Sequence, residues 1–190
     1  DTTQGTAGNR AKLYINGVQE TVFDTESQPS ENQDLQWNKT TSHRIGSQAD
    51  TANNAFNGYL AEVVWIDGTQ YAASDFGETD ATTGEWKIKT APSVTYGTNG
   101  AFILKDGNSG TDQSGQGNNW TVASGTLTKT EDNPSNNFCT LNMNVANAGY
   151  ALANGNTTFL GQNEVDWKYG VVGHIGANSG KWYWEVKWIG

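Results

Sequence analysis

Glu164 and Asp166 stand two positions apart in Glu164-Val165-Asp166-Trp167-Lys168-Tyr169 and would share one face of an extended strand. Paired carboxylates are the groups that cleave glycosidic bonds, one as nucleophile or base and the other as proton donor. A solvated strand face explains the same pair without chemistry. Asp106, Asp112, Asn118 and Asn119 place hard oxygen ligands in the glycine-rich run 106–119, where they could hold Ca²⁺. Their spacing matches no fixed calcium loop, and Asx side chains bonding the local backbone is the stronger reading. Cys139 is the single cysteine, so it cannot close an intrachain disulfide. Neither His43 nor His174 is near it in sequence, so it reads as a small buried residue beside Phe138 and not as a nucleophile. A metal pair or a pH switch is not expected of either histidine. No phosphate loop, zinc spacing or catalytic triad is present.

Aromatic residues offer a different chemistry, since the faces of Trp and Tyr stack on sugar rings. The chain has 8 Trp among 190 residues. Trp37, Tyr96 and Trp120 lie in polar stretches and are the candidate ligand contacts, although anchoring of their loops accounts for them equally well. Trp182, Trp184 and Trp188 alternate along one strand and are expected to pack inward. Net charge is -9, from 11 basic and 20 acidic residues. An acidic chain is a poor partner for nucleic acid or an anionic membrane, because phosphate contacts need clustered Lys and Arg. No apolar run approaches the length of a membrane span, and no signal peptide is evident at the first residues. Neutral glycans and other proteins are compatible with this charge.

The elements that must position these groups read as strands. Hydrophobic residues are only 35% of the chain, yet aromatics reach 11%, which disorder would deplete. With 23 Gly against 3 Pro, tight turns join thin sheets. Residues 11–22 predict a hairpin about Asn16-Gly17, and residues 43–47 a short strand. Residues 59–66 alternate, with Tyr59, Ala61, Val63 and Trp65 on one face; both faces carry apolar groups, so a central strand is expected. Residues 73–77 suit one helical turn, and residues 85–89 and 101–105 two more strands joined through Pro92, Tyr96 and Gly97. The fold class is therefore all-β, an antiparallel β-sandwich of jelly-roll type.

Several phrases together carry a family resemblance. Lys12-Leu13-Tyr14-Ile15-Asn16-Gly17-Val18, His43-Arg44-Ile45-Gly46-Ser47 and Tyr59-Leu60-Ala61-Glu62-Val63 resemble the closing strands of a laminin-G-like, concanavalin A-like sandwich. Gly180-Lys181-Trp182-Tyr183-Trp184-Glu185-Val186, with Gly173-His174-Ile175-Gly176 before it, resembles the opening of a SPRY-like domain. Their order, with Gly84-Glu85-Trp86-Lys87 and Asn136-Asn137-Phe138-Cys139 between them, is similar to structural proteins of marine tailed phages.

The resemblance implies three regions: residues 1–80 as laminin-G-like strands, 81–132 as connecting strands and a Gly/Asn-rich loop, and 133–190 as the start of a SPRY-like sandwich. It implies a longer natural chain, with further strands beyond both regions. It also implies a non-enzymatic fibre, tail or capsid appendage at the virion surface, in contact with copies of itself, other virion proteins or host-surface glycans. No cofactor is implied, Ca²⁺ apart. A secreted bacterial adhesin or carbohydrate-binding module is the alternative. A laminarinase-like hydrolase ranks below both, because that family's E-x-D-x-x-E strand would need a glutamate where Tyr169 stands.

Overall fold

Two left-handed residues in succession, Asn16 at φ 49° and Gly17 at φ 79°, fold the chain back between β1 (Tyr14–Ile15) and β2 (Val18–Gln19). That turn matches the twist of the strands it joins, which is why Asn-Gly suits it. The computed structural model describes residues 1–37, 39–47, 55–105, 109–142, 144, 151–160 and 170–188. The chain divides into two compact units, residues 1–128 and residues 129–190. Regular structure in both is almost entirely β, with short 3-10 turns at Ala7–Asn9 and Ala73–Asp75. Among the described residues, each ladder joins two antiparallel strands.

In unit 1 the central ribbon pairs β3 (Val63–Trp65) with β6 (Ala101–Ile103). Its register sets Val63 opposite Ile103, Val64 opposite Phe102 and Trp65 opposite Ala101. Alternation then puts Val63, Trp65, Ala101 and Ile103 on one face. The deepest residues of the unit lie on β6 and just after it: Ala101, Phe102, Ile103 and Leu104, at 2%, 3%, 4% and 7% exposure. Val63, Trp65, Ile45 and Trp120 close over them. The other edge of β6 is covered by the loop that follows. Leu104 donates to Ser109 O at 2.8 Å, and Phe102 O accepts from Gln113 N at 2.7 Å. Loop backbone thus satisfies groups that an open edge would leave to water or to another chain.

A second ribbon, β4 (Gly77–Thr79) with β5 (Trp86–Ile88), is closed by Asp80. Its Oδ1 accepts from the amides of Thr82 and Thr83, and its Oδ2 meets Lys87 Nζ. The Lys87 contact first, then those two amides, holds this carboxyl well below the usual range. The Trp86 indole lies against the backbones of both Gly77 and Gly17, so a Cβ at either would overlap the ring. Gly17→Ala is therefore expected to destabilise unit 1 by about 2 kcal/mol or more, combining left-handed strain with overpacking. Gly68→Ala isolates the first effect. Gly68 has nearly the same φ, 80°, but open space beside it, so urea unfolding should show about 1 kcal/mol.

Unit 2 contains the ribbon β7 (Leu141–Asn142) with β10 (Val172–Gly173), and the hairpin β8 (Ala151–Ala153) with β9 (Thr158–Leu160). Asn154, Gly155 and Asn156 all have positive φ, which turns the hairpin. Leu141 N donates to Asn156 O at 2.8 Å and ties the two ribbons together.

Four expectations need correction. Residues 43–47 form no strand: Gly46 sits at φ 79° and its carbonyl accepts from Phe56 N, bending the chain out of any ladder. Residues 59–62 are outside β3, because Glu62 adopts φ 52° and ends the extended run. For the same reason β3 is not central among the described residues; it pairs with β6 alone. Residues 181–188 join no ladder there, and Trp182, Trp184 and Trp188 face water at 67%, 79% and 90% exposure. Alternation gave them a common side but no sheet to cover it.

Candidate functional site

The pairing of β3 with β6 puts the large Trp65 directly across from the small Ala101. Room is left for the indole to lie over the ribbon, with Ile45 and Trp120 filling in around it. Trp120 approaches Trp65 at 6.2 Å between ring centroids, tilted by 53°. Trp37 then rides on Trp65, with centroids 4.9 Å apart and planes at 40°. His43 meets Trp65 edge-on at 5.5 Å and 77°. His43 Nε2 lies 3.0 Å from Gln36 O. A carbonyl oxygen only accepts, so this nitrogen carries the proton. The imidazole therefore joins the segment bearing Trp37 to the ribbon's aromatic face.

Trp37 itself is 68% exposed. It is an indole seated on another ring and open to solvent, flanked in sequence by the ion pair of Lys39 with Asp34 at 3.0 Å. Such a ring has already lost much of its rotamer freedom before any ligand arrives. It offers one broad apolar face with polar groups beside it.

Sequence reasoning singled out Trp37, Tyr96 and Trp120 without a geometry. The structure brings Trp37 and Trp120 together through Trp65 and leaves Tyr96 apart. Tyr96 stacks on Phe102 at 6.1 Å and 16°, and Phe102 points to the opposite face of the ribbon. Burial first, then the charges of Asp112 and Glu62, pushes the Tyr96 phenol up. Trp65 and His43 were missed as supports of the platform. The clue available for Trp65 was its place on the apolar side of an alternating run; for His43 there was none.

The oxygen-rich loop is organised by Asp112. Its Oδ1 accepts from Phe102 N at 2.8 Å and Ser114 N at 2.9 Å, and its Oδ2 from Ser114 Oγ at 2.8 Å and Asn118 N at 3.0 Å. Partial burial opposes ionisation, but these bonds together outweigh it and lower the carboxyl to about 2. Asn118 Nδ2 donates to Thr98 O and Gly100 O, and Asn119 Oδ1 accepts from Asp112 N. These side chains bond the surrounding backbone, as Asx turns do. Asp106 lies outside the described residues. Among the described residues, no three or more His, Cys, Asp or Glu side chains gather where they could hold a metal ion.

Glu164, Asp166 and Tyr169 also lie outside the described residues. Cys139 is exposed, not buried as expected, because it precedes β7 on the surface of unit 2; its Sγ lies against Gly173. His174 Nδ1 engages Thr140, at 2.8 Å from Oγ1 and 3.1 Å from the carbonyl oxygen. A cleft of about 450 Å³ beside β1–β2 is lined by Lys12, Leu13, Glu20, Phe23, Glu26 and Gln28, among others. Much of its polar wall is already bonded within the chain: Glu20 accepts from Thr21 N and Val22 N, while Gln28 bridges both backbone groups of Ala11. No described helix is long and apolar enough to cross a membrane. No protein-family model, curated protein or solved structure matches this chain.

Proposed function

We propose that this chain is a non-enzymatic structural and adhesive protein that touches host-surface glycans through Trp37. In this reading its ribbons belong to antiparallel sandwiches of the laminin-G-like and SPRY-like kinds. Its setting is the surface of a tailed-phage particle, in a fibre, tail or capsid appendage. The observation that carries the adhesive part is the exposed Trp37 ring seated on Trp65. A sugar presents a face of C–H groups that packs on an indole, and its hydroxyls reach outward to polar neighbours. Asp34 and Lys39 supply such neighbours. The acidic balance of the chain favours neutral sugars over sulfated or phosphorylated ones.

The test is a titration of the intact chain with neutral β-linked hexose oligomers, read by calorimetry. Saturable binding is expected, weakened about tenfold or more by Trp37→Ala, a change of about 1.4 kcal/mol. Because Trp37 is mostly exposed, the same variant should unfold within about 1 kcal/mol of the parent. Equal affinity in parent and variant, or no binding across the panel, removes the platform reading. Release of new reducing ends by the intact chain would overturn its non-enzymatic part.

A further inference from the structure

Trp182, Trp184, Val186 and Trp188 alternate with Lys181, Tyr183, Glu185 and Lys187, so a strand through 181–188 would have one wholly apolar side. All four apolar side chains are exposed, from 67% at Trp182 to 90% at Trp188. The segment makes no ladder and no backbone hydrogen bond among the described residues. Indoles in water beside unpaired backbone form the kind of edge that recruits another strand.

We propose that this segment pairs antiparallel with the same segment of a second copy of the chain, about a two-fold axis at Val186. The charges select both the occupant and the register. In a two-fold antiparallel pair, the central residue faces itself and its neighbours face one another crosswise. Centring on Val186 sets Glu185 opposite Lys187 of the second copy, twice, and Trp184 opposite Trp188, twice. Centring on Trp184 gives the longest overlap, but Lys181 would then face Lys187 twice, and like charges directly opposite repel. Centring on Tyr183 also matches charges. It uses Trp182, however, whose Nε1 is already bonded to Ser179 O at 2.5 Å, and it leaves Trp188 with no aromatic partner. The Val186 register covers the three most exposed of the four apolar residues. It is also sharply set, because a one-residue slip would turn every indole to the other side.

This pairing is independent of sugar binding at Trp37: a monomeric chain would leave that reading intact, and loss of sugar binding would leave this one intact. Sedimentation velocity of the intact chain across a concentration series is expected to show a monomer–dimer equilibrium. Glu185→Lys should raise the dimer dissociation constant at least tenfold, Lys187→Glu likewise, and the double variant should return it to within about threefold of the parent. Both positions are exposed, and circular dichroism reports whether each variant keeps its fold. In a Cys139→Ser background, Val186→Cys should cross-link two copies under mild oxidation, whereas Tyr183→Cys should not. A monomer at every concentration, a dimer indifferent to Glu185→Lys, or a double variant that stays dissociated overturns the proposal. Cross-linking at Tyr183→Cys in place of Val186→Cys overturns the register.

Discussion

Trp65→Ala is expected to abolish the cooperative unfolding of unit 1, or to leave it so weak that the unit is largely open at 37 °C. The indole covers Ala101 and Ile103, touches Trp120 and carries both Trp37 and His43. Truncating a packed aromatic costs about 3–5 kcal/mol when the site cannot collapse. Trp65 is half-buried, so the lower end applies, about 3 kcal/mol. That is a large part of the 5–15 kcal/mol of a whole domain, and the buried apolar set here is small: Ala101, Phe102, Ile103 and Leu104. Trp65→Phe should recover about half of the loss, because a smaller ring still covers Ala101. Hydrogen exchange of the β3 and β6 amides, with urea unfolding followed by far-ultraviolet circular dichroism, gives the readout. A Trp65→Ala midpoint equal to the parent's would show that the ribbon is held by something else. Sugar binding at Trp37 should disappear with this variant as well, since the platform loses its base.

Local signals were legible in the sequence, and coverage was not. Asn16-Gly17 announced its hairpin because the two residues alone set the backbone angles. Val63 and Trp65 were placed on a common face, and 101–105 was read as a strand, because alternation is a property of a few adjacent residues. His43-Arg44-Ile45-Gly46-Ser47 has similar letters but no ladder. A left-handed Gly46 and its bond to Phe56 are decided by the packing of a distant segment. The terminal tryptophans fail in the same manner: a pattern assigns them to one side, and only a partner strand can bury that side. The Trp37–Trp65–Trp120 group joins three segments far apart in the chain, so each ring could be suspected singly while the stack could not be read. For Asp112 the sequence left a metal ligand and a turn-former open, and the four donors around it became visible only once Phe102 was placed beside the loop.

Asp112→Ala is expected to destabilise unit 1 by about 2 kcal/mol at pH 7, mainly because the Phe102 amide, on a strand residue only 3% exposed, loses its acceptor. Ser114 and Asn118 can turn to water at lower cost, so the loop should loosen there while Trp120 keeps its bond to Gly110. Asp112→Asn should be intermediate. Its one oxygen can still serve Phe102 and Ser114 amides, but its NH₂ group would face donors. The pH dependence follows from the sign of the shift. The folded carboxyl titrates near 2, below its ordinary 3.8. A depressed acid stabilises the fold while it is ionised, so the contribution is complete above about pH 4 and fades as pH falls towards about 2. The parent and Asp112→Ala should therefore unfold at well-separated urea concentrations at pH 7 and draw together by pH 2.5. A separation that persists undiminished at pH 2.5 would mean that the carboxylate's charge is not what holds the loop. Since donors already occupy both oxygens, millimolar Ca²⁺ is expected to leave the parent's midpoint unmoved at pH 7. A clear upward shift would require the loop to reorganise around an ion and give up the Phe102 bond.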